Sequence, residues 1–228
     1  HIRFAFLTGV SKFSKVSLFS GLNNQKDITL TPRYSTICGY TENDLDTVFA
    51  PELEGLDREQ IRTWYNGYNW TGEAVYNPFD VLLLFRERKF RSWWFETGTP
   101  TFLVDALTGR QTFLPDLDRL VASEHLLSSF DVEDIRIEAL LFQTGYLTIA
   151  RERRLGAFIE YQLRYPNLEV KASLNATLLE VLSGRVSSTA AQTGQLYGLL
   201  KANDFAGLES LFTAFYASIP NDWYRNNP

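Results

Sequence analysis

The spacing of apolar side chains along the chain predicts one short strand at the start and mostly helices after it. In residues 2–7 the apolar side chains alternate between two faces. Ile2, Phe4 and Phe6 share one of these faces, which is typical of a strand that is covered on both sides. Because a lone strand leaves its backbone groups without partners, we expect further strands of the same sheet before His1 and a longer parent protein.

Residues that commonly cap helices precede several stretches of apolar side chains at helical spacing. Thr41 and Asp57 are followed by acidic or amide side chains in the next turn, and Asn77 is followed by Pro78, which suits the first position of a helix. Asn167 is a further start of this kind. These signals predict helices over residues 41–49, 57–67, 77–85, 97–107 and 167–182.

A different pattern begins near residue 131. It predicts a helix over residues 132–144, strands over 146–151 and 158–164, and a turn at 153–156 between the strands. Helix, hairpin and helix in this order suggest a small winged-helix-like module. The chain then ends in an apolar stripe at helical spacing, which we interpret as core packing, formed by Phe205, Leu208, Leu211, Phe212, Phe215 and Ile219.

Composition supports a folded protein and limits its partners. The chain has 228 residues, 45% of them hydrophobic, which is enough to bury a core. The absence of a long apolar run or a leader sequence predicts a cytoplasmic protein with no membrane partner. The single cysteine, Cys38, excludes an internal disulfide, and we expect its side chain to be buried.

The charge of the chain does not decide whether it binds nucleic acid. The net charge of −5 argues against a dedicated nucleic-acid binder, whose domain is usually basic. Arg151, Arg153 and Arg154 nevertheless cluster on the predicted hairpin, where they would either contact phosphates or form a solvated face.

Motifs for common catalytic sites are absent from the sequence. Neither a G-x-x-x-x-G-K-[ST] loop nor a G-x-G-x-x-G loop occurs, and the only histidines are His1 and His125. Glu169 and Lys171 match the E-x-K pattern of metal-dependent nucleases. That site also needs an acid on the preceding strand, for which only Glu160 is present, and Glu169 stands at a predicted helix start. A nuclease is therefore a minor alternative, and no metal site is predicted.

The most distinctive stretch is the aromatic segment of residues 64–70. It combines four large rings with a glycine that suits the end of a helix. We interpret it as a densely packed corner, with a platform for stacking a ligand as the alternative.

Seven stretches together resemble the bacterial AAA-ATPase-like family, whose chains usually end in a PD-(D/E)XK nuclease-like domain. The resemblance runs from residue 1 to about Pro220, with the stretches in the order of that family. They are residues 6–17, 20–24, 38–41, 64–68, 76–80, 95–100 and 142–149.

The resemblance implies an α+β, predominantly helical fold with three parts. Residues 1–40 would be the end of an AAA/STAND-type P-loop ATPase core, 41–130 a helical lid, and 131–228 the winged-helix-like module and a helix leading to the nuclease-like domain. The Walker motifs and the nuclease-like domain would lie outside this chain. ATP and Mg²⁺ are implied for the intact protein, and neither is expected on this part alone.

Residues 7–9 would occupy the sensor 1 position of that core, beside the γ-phosphate. The resemblance therefore implies a catalytic role for Thr8, with Ser11 and Lys12 near the nucleotide. The expected function is a nucleotide-driven switch coupled to a nuclease-like effector, with ATP hydrolysis by the intact protein only. The alternative is a non-enzymatic winged-helix module that binds DNA or a partner protein.

Overall fold

The computed structural model describes Phe4, Phe6 and residues 26–95, 103, 107, 117, 119–128, 136–183 and 186–217. Of the predicted first strand, Phe4 and Phe6 alone are described; neither lies in a strand, and their side chains are 82% and 49% exposed. The predicted helix over 97–107 lies outside the described residues apart from Leu103 and Leu107, which are both helical and buried.

The described residues form an α+β fold in which helices predominate, which confirms the predicted fold class. The chain divides into two compact units, residues 1–176 and 177–228. The boundaries at residues 40 and 130, which separate the three parts implied by the resemblance, remain a prediction. The elements are α1 (Glu42–Thr47), α2 (Arg58–Tyr65), β1 (Asn66–Tyr68), β2 (Val75–Tyr76), α3 (Pro78–Glu87), β3 (Val121–Ser123), α4 (Glu124–Ser128), α5 (Ile137–Gln143), β4 (Thr148–Leu155), β5 (Phe158–Arg164), α6 (Leu168–Ser183), α7 (Val186–Ala202) and α8 (Phe205–Ala217).

Side chains cap the helix starts as predicted. The Thr41 hydroxyl accepts a hydrogen bond from the Asp44 backbone N–H at 3.1 Å, and the Asp44 carboxylate accepts one from the Thr41 N–H at 2.8 Å. Asp57 accepts the first free N–H groups of α2, and Asn77 accepts that of Phe79 in α3. These bonds satisfy donors that a helix cannot satisfy internally, so the sequence signals were sufficient to locate the starts.

The core of the first unit lies beneath α1, α2 and α3. It contains Leu45, Ile61, Tyr65, Tyr76, Val81 and Leu84. Tyr65 stacks on Phe90 with ring centroids 6.1 Å apart, and Tyr68 stacks on Trp70 at the same separation. Since Tyr65 and Tyr68 are both buried, the aromatic segment forms a packed corner.

Gly67 is the turn point of this corner. Its φ of +122° is a conformation that L side chains rarely adopt, and a Cβ there would collide with the Pro166 carbonyl oxygen. The absence of a side chain therefore lets the corner approach the segment that leads into α6.

The three-stranded antiparallel sheet has the order β3-β5-β4. The predicted turn at 153–156 is wrong in position, because β4 continues to Leu155 and pairs with Phe158 across a two-residue turn. Gly156 in this turn has a φ of +63°, which suits a tight hairpin. Helix α5, the hairpin and α6 follow in the order predicted for the winged-helix-like module.

In the second unit, α8 exposes its apolar stripe. Phe205 is 75% exposed, Phe212 47% and Phe215 53%, and no described residue of α8 is buried. The expectation that this stripe packs in a core is therefore wrong for the described residues. No helix within the described ranges is long and apolar enough to cross a membrane.

Candidate functional site

Two carboxyl groups are fully buried side by side in the first unit. Asp80 is the third residue of α3, and Glu169 is the second residue of α6. Each therefore lies in the first turn of a helix, where the aligned peptide dipoles favour a negative charge. Neither side chain is accessible to solvent.

The backbone of residues 94–95 joins the two acids. The Trp94 N–H donates to Oδ1 of Asp80 at 2.8 Å and to Oε1 of Glu169 at 2.8 Å, and the Phe95 N–H donates to Oε1 of Glu169 at 3.3 Å. Both acids thus share one donor, and α3, residues 94–95 and α6 meet at a single point.

Burial and mutual contact alter how these acids titrate. Burial raises the pKa of Asp80 to about 6, opposed by hydrogen bonds from Glu169 and the Trp94 N–H. Burial, followed by the charge and the hydrogen bond of Asp80, raises the pKa of Glu169 to about 9, while the N–H groups of Phe95 and Trp94 act in the opposite direction. At neutral pH the pair therefore holds one proton, which Glu169 donates to the Asp80 carboxylate.

The proton also resolves a hydrogen-bonding problem. Oδ2 of Asp80 and Oε2 of Glu169 are buried, and no N–H or O–H group among the described residues donates to them. Two ionised carboxylates would repel each other there and would be far from any solvent that could stabilise them. A proton between the two groups removes the repulsion and supplies a donor where the fold provides none.

Aromatic rings pack together at residues 94–95, whose backbone binds the pair. The ring of Trp94 lies 5.3 Å from that of Tyr146, and Phe95 lies edge-on to Tyr146 at 6.1 Å. Burial, and then the charges of Asp80 and Glu169, raise the pKa of Tyr68 well above its usual value. The pair is buried, and no lysine or arginine within the described ranges forms an ion pair with either acid.

A second link ties the aromatic corner to the hairpin. The Thr148 hydroxyl accepts from the Asn69 N–H at 2.6 Å and donates to the Asn69 carbonyl at 2.9 Å. Together with the carboxyl pair, this contact joins residues 66–95 to β4 and α6. The arrangement can store a proton and fix three segments to one another.

A separate polar cluster surrounds Glu42 on α1. Its carboxylate accepts from Arg58 at 2.7 Å, from Arg62 at 2.8 Å and from the Tyr76 hydroxyl at 2.8 Å. Burial tends to raise the pKa of Glu42, but the hydrogen bonds from Arg62 and Tyr76 and the charges of both arginines outweigh it and lower that pKa. This cluster connects α1, α2 and β2, and its role is structural.

The residues proposed for nucleotide contact, Thr8, Ser11 and Lys12, lie outside the described residues. Arg151, Arg153 and Arg154 are described and exposed on β4, but the strand register divides them between two faces.

The nuclease alternative does not fit the geometry. Glu169 is in a helix rather than on a strand, its side chain is buried, and Lys171 is exposed. Cys38 is exposed, contrary to the expectation of a buried thiol, and His125 is exposed on α4. No group of three or more potential metal ligands occurs among the residues that the structure describes.

The sequence analysis missed the partnership of Asp80 and Glu169. Asp80 looked like a helix-start acid, and Glu169 was weighed only as a nuclease residue. One signal was available: Glu169 stands between Leu168 and Val170, and Asp80 is followed by five apolar residues, so both acids occur in apolar surroundings.

Comparison with known proteins identifies one long relative. A protein of Azotobacter chroococcum mcd 1, described as an uncharacterized protein in the vnfD 5′ region, is 68% identical over 228 residues, which cover 100% of this chain and 44% of that protein. The chain thus spans less than half the length of this relative. No protein-family model matches the chain, and no solved structure matches it.

Proposed function

We propose that this chain is the C-terminal portion of an AAA-type ATP-binding protein of the cytoplasm, a nucleotide-driven switch coupled to a nuclease-like effector domain. In this proposal the ATPase core precedes the chain and the effector follows it. Residues 26–176 then act as the rigid body that passes movement of the lid to the effector side.

One observation carries the proposal: stretches that resemble the AAA-ATPase-like family, although far apart in sequence, pack against each other. Asp80, which ends one stretch, shares the Trp94 N–H with Glu169. Phe95, which begins another stretch, donates to Glu169 through its N–H and packs edge-on against Tyr146 of a third. A fourth stretch joins them through Tyr40, whose N–H donates to the Tyr76 carbonyl at 3.1 Å. A lid that converts nucleotide state into rotation needs this kind of rigidity.

In this proposal the described residues do not hold the nucleotide. Mg²⁺ prefers ionised oxygen ligands with room for water, whereas Asp80 and Glu169 are dry and share a proton. The described residues do not fit this ion, so in the proposal ATP and Mg²⁺ are held by the core upstream, with Thr8 at its edge. No step of hydrolysis is assigned to the carboxyl pair.

The test is ATP binding and single-turnover hydrolysis by the full-length protein from which this chain comes. Replacing the sensor candidate, Thr8→Ala, should slow hydrolysis by about tenfold or more while nucleotide affinity stays within about twofold, because a sensor acts on the attacking water rather than on binding. Thr47→Ala, at an exposed threonine of α1, is the matched control and should change neither quantity.

Two results would overturn parts of the proposal separately. A full-length protein that binds no ATP would remove the switch altogether. A Thr8→Ala variant that hydrolyses ATP at the wild-type rate would remove the sensor role and leave the switch standing.

A further inference from the structure

The hairpin of β4 and β5 buries one face near its base, and the opposite face, called the exposed face below, carries exposed side chains at Arg151, Arg153, Leu155 and Phe158. Ile149, Tyr161 and Leu163 lie on the buried face and are at most 4% exposed. At the far end, Leu155 and Phe158 form a cross-strand pair on the opposite face, 47% and 75% exposed. The hairpin is therefore anchored at its base and presents an aromatic ring to solvent at its tip.

A bulge decides which arginines share that exposed face. Ile149 pairs with Leu163 and Arg151 with Gln162, so Ala150 has no partner in the register. One extra residue reverses the face that each following side chain occupies.

Arg151 and Arg153 consequently lie on the same face as Phe158. Arg154, which pairs with Ile159, lies on the other face. Without the bulge this assignment would be inverted, and Arg154 alone would accompany Phe158.

The local charge differs in sign from that of the protein. The hairpin, residues 148–164, carries four arginines and two glutamates, whereas the whole chain has a net charge of −5. A positive surface on an acidic protein selects anionic partners locally and repels them elsewhere.

We propose that the exposed face of this hairpin binds a single strand of nucleic acid, with phosphates on Arg151 and Arg153 and an unstacked base on Phe158. This inference does not depend on ATP binding.

The geometry suits a single strand better than a duplex. Side chains two residues apart on a strand are separated by about 6.6 Å, so the two arginines can follow successive phosphates along an extended backbone. An exposed ring such as Phe158 stacks on a base only when that base is not already stacked within a duplex. Glu160 pairs with Arg153 and opposes phosphate binding there.

The experiment measures fluorescence anisotropy of a labelled oligo-dT of about 15 nucleotides, a length within the range of known single-strand sites. The double variant Arg151→Ala/Arg153→Ala should weaken binding and reduce the salt slope of log K by about 1.4, or about 0.7 per phosphate. Phe158→Ala should weaken binding by about fivefold or more, because it removes a stacked base. Glu160→Gln should tighten binding.

Arg154→Ala is the matched control for the single variant Arg151→Ala: each removes one positive charge from β4, but from opposite faces. Arg154→Ala should leave affinity within about twofold of the wild type, whereas Arg151→Ala should weaken binding. Equal losses of affinity for Arg154→Ala and Arg151→Ala would overturn the proposal, because they would indicate nonspecific electrostatic attraction with no preference for one face of the hairpin. Equal affinity for the duplex form would overturn it as well. Binding of poly-glutamate as tightly as oligo-dT would identify an acidic protein segment as the occupant instead.

Discussion

Replacing Glu169 with glutamine tests the shared proton of the buried pair. Glutamine has the shape of a protonated glutamate, and its amide can donate to the Asp80 carboxylate as the protonated acid does. The substitution therefore keeps the hydrogen bond to Asp80 and removes the titration of Glu169.

The sign and size of the effect follow from the pKa values. Both acids have pKa values in the folded state, about 6 and about 9, that exceed their ordinary values of 3.8 and 4.5. Groups of this kind destabilise the fold as pH rises through that window. Between pH 6 and 9 the folded pair holds about one proton more than the unfolded chain, so the free energy of unfolding should fall by about 1.4 kcal/mol per pH unit.

The Glu169→Gln variant should lose this slope. The free energy of unfolding of the wild type falls between pH 6 and pH 8, because its folded state holds an extra proton. The stability of Glu169→Gln relative to the wild type should therefore rise by about 3 kcal/mol over this range. Urea unfolding followed by tryptophan fluorescence at several pH values measures the difference, since Trp94 adjoins the pair. Glu73→Gln, at an exposed acid in the β1–β2 turn, is the control and should retain the wild-type slope.

The reasoning would be refuted by parallel curves. If wild type and Glu169→Gln changed stability equally from pH 6 to pH 8, then the folded pair would hold no extra proton. A variant less stable than the wild type at pH 8 and above would likewise contradict the exchange of a proton for an amide donor.

Three further substitutions test other contacts, with thermal and urea unfolding as the readouts. Gly67→Ala should cost several kcal/mol or prevent folding, whereas Gly156→Ala, which meets nothing within 4 Å, should cost only about 1–2 kcal/mol; equal costs would exclude the predicted collision. Thr148→Val should cost about 1–3 kcal/mol by leaving the Asn69 N–H unpaired, and a neutral result would contradict that link. Glu42→Gln should destabilise the protein near neutral pH, and its deficit should shrink as pH falls and the wild-type carboxylate becomes protonated; a deficit independent of pH would exclude an electrostatic role.

Helix starts and strands were predictable because their causes are local. Thr41, Asp57, Asn77 and Asn167 each hydrogen-bond to backbone N–H groups within three residues of themselves. The strand over 158–164 follows from its own composition. An interaction that spans a few residues leaves its signature in a few letters of sequence.

The carboxyl pair was not predictable, because its members come from different elements. Asp80 and Glu169 are separated by 89 residues, and nothing in either neighbourhood identifies the other. The burial predicted for Cys38 and for α8 was wrong for the same reason, because burial depends on distant segments. On α8, amphipathic spacing indicates which face of the helix is apolar but not whether another segment covers it.

The sequence by itself determined the class of fold, the caps, the order of helix, hairpin and helix, and a local excess of arginine on an acidic chain. Only the tertiary structure decided that Asp80 and Glu169 share a proton, and that the bulge at Ala150 places Arg151 and Arg153, but not Arg154, beside Phe158. The physical reason is range: backbone preferences act over a turn or a strand pair, whereas burial, pKa and the facing of a side chain depend on which distant segments meet.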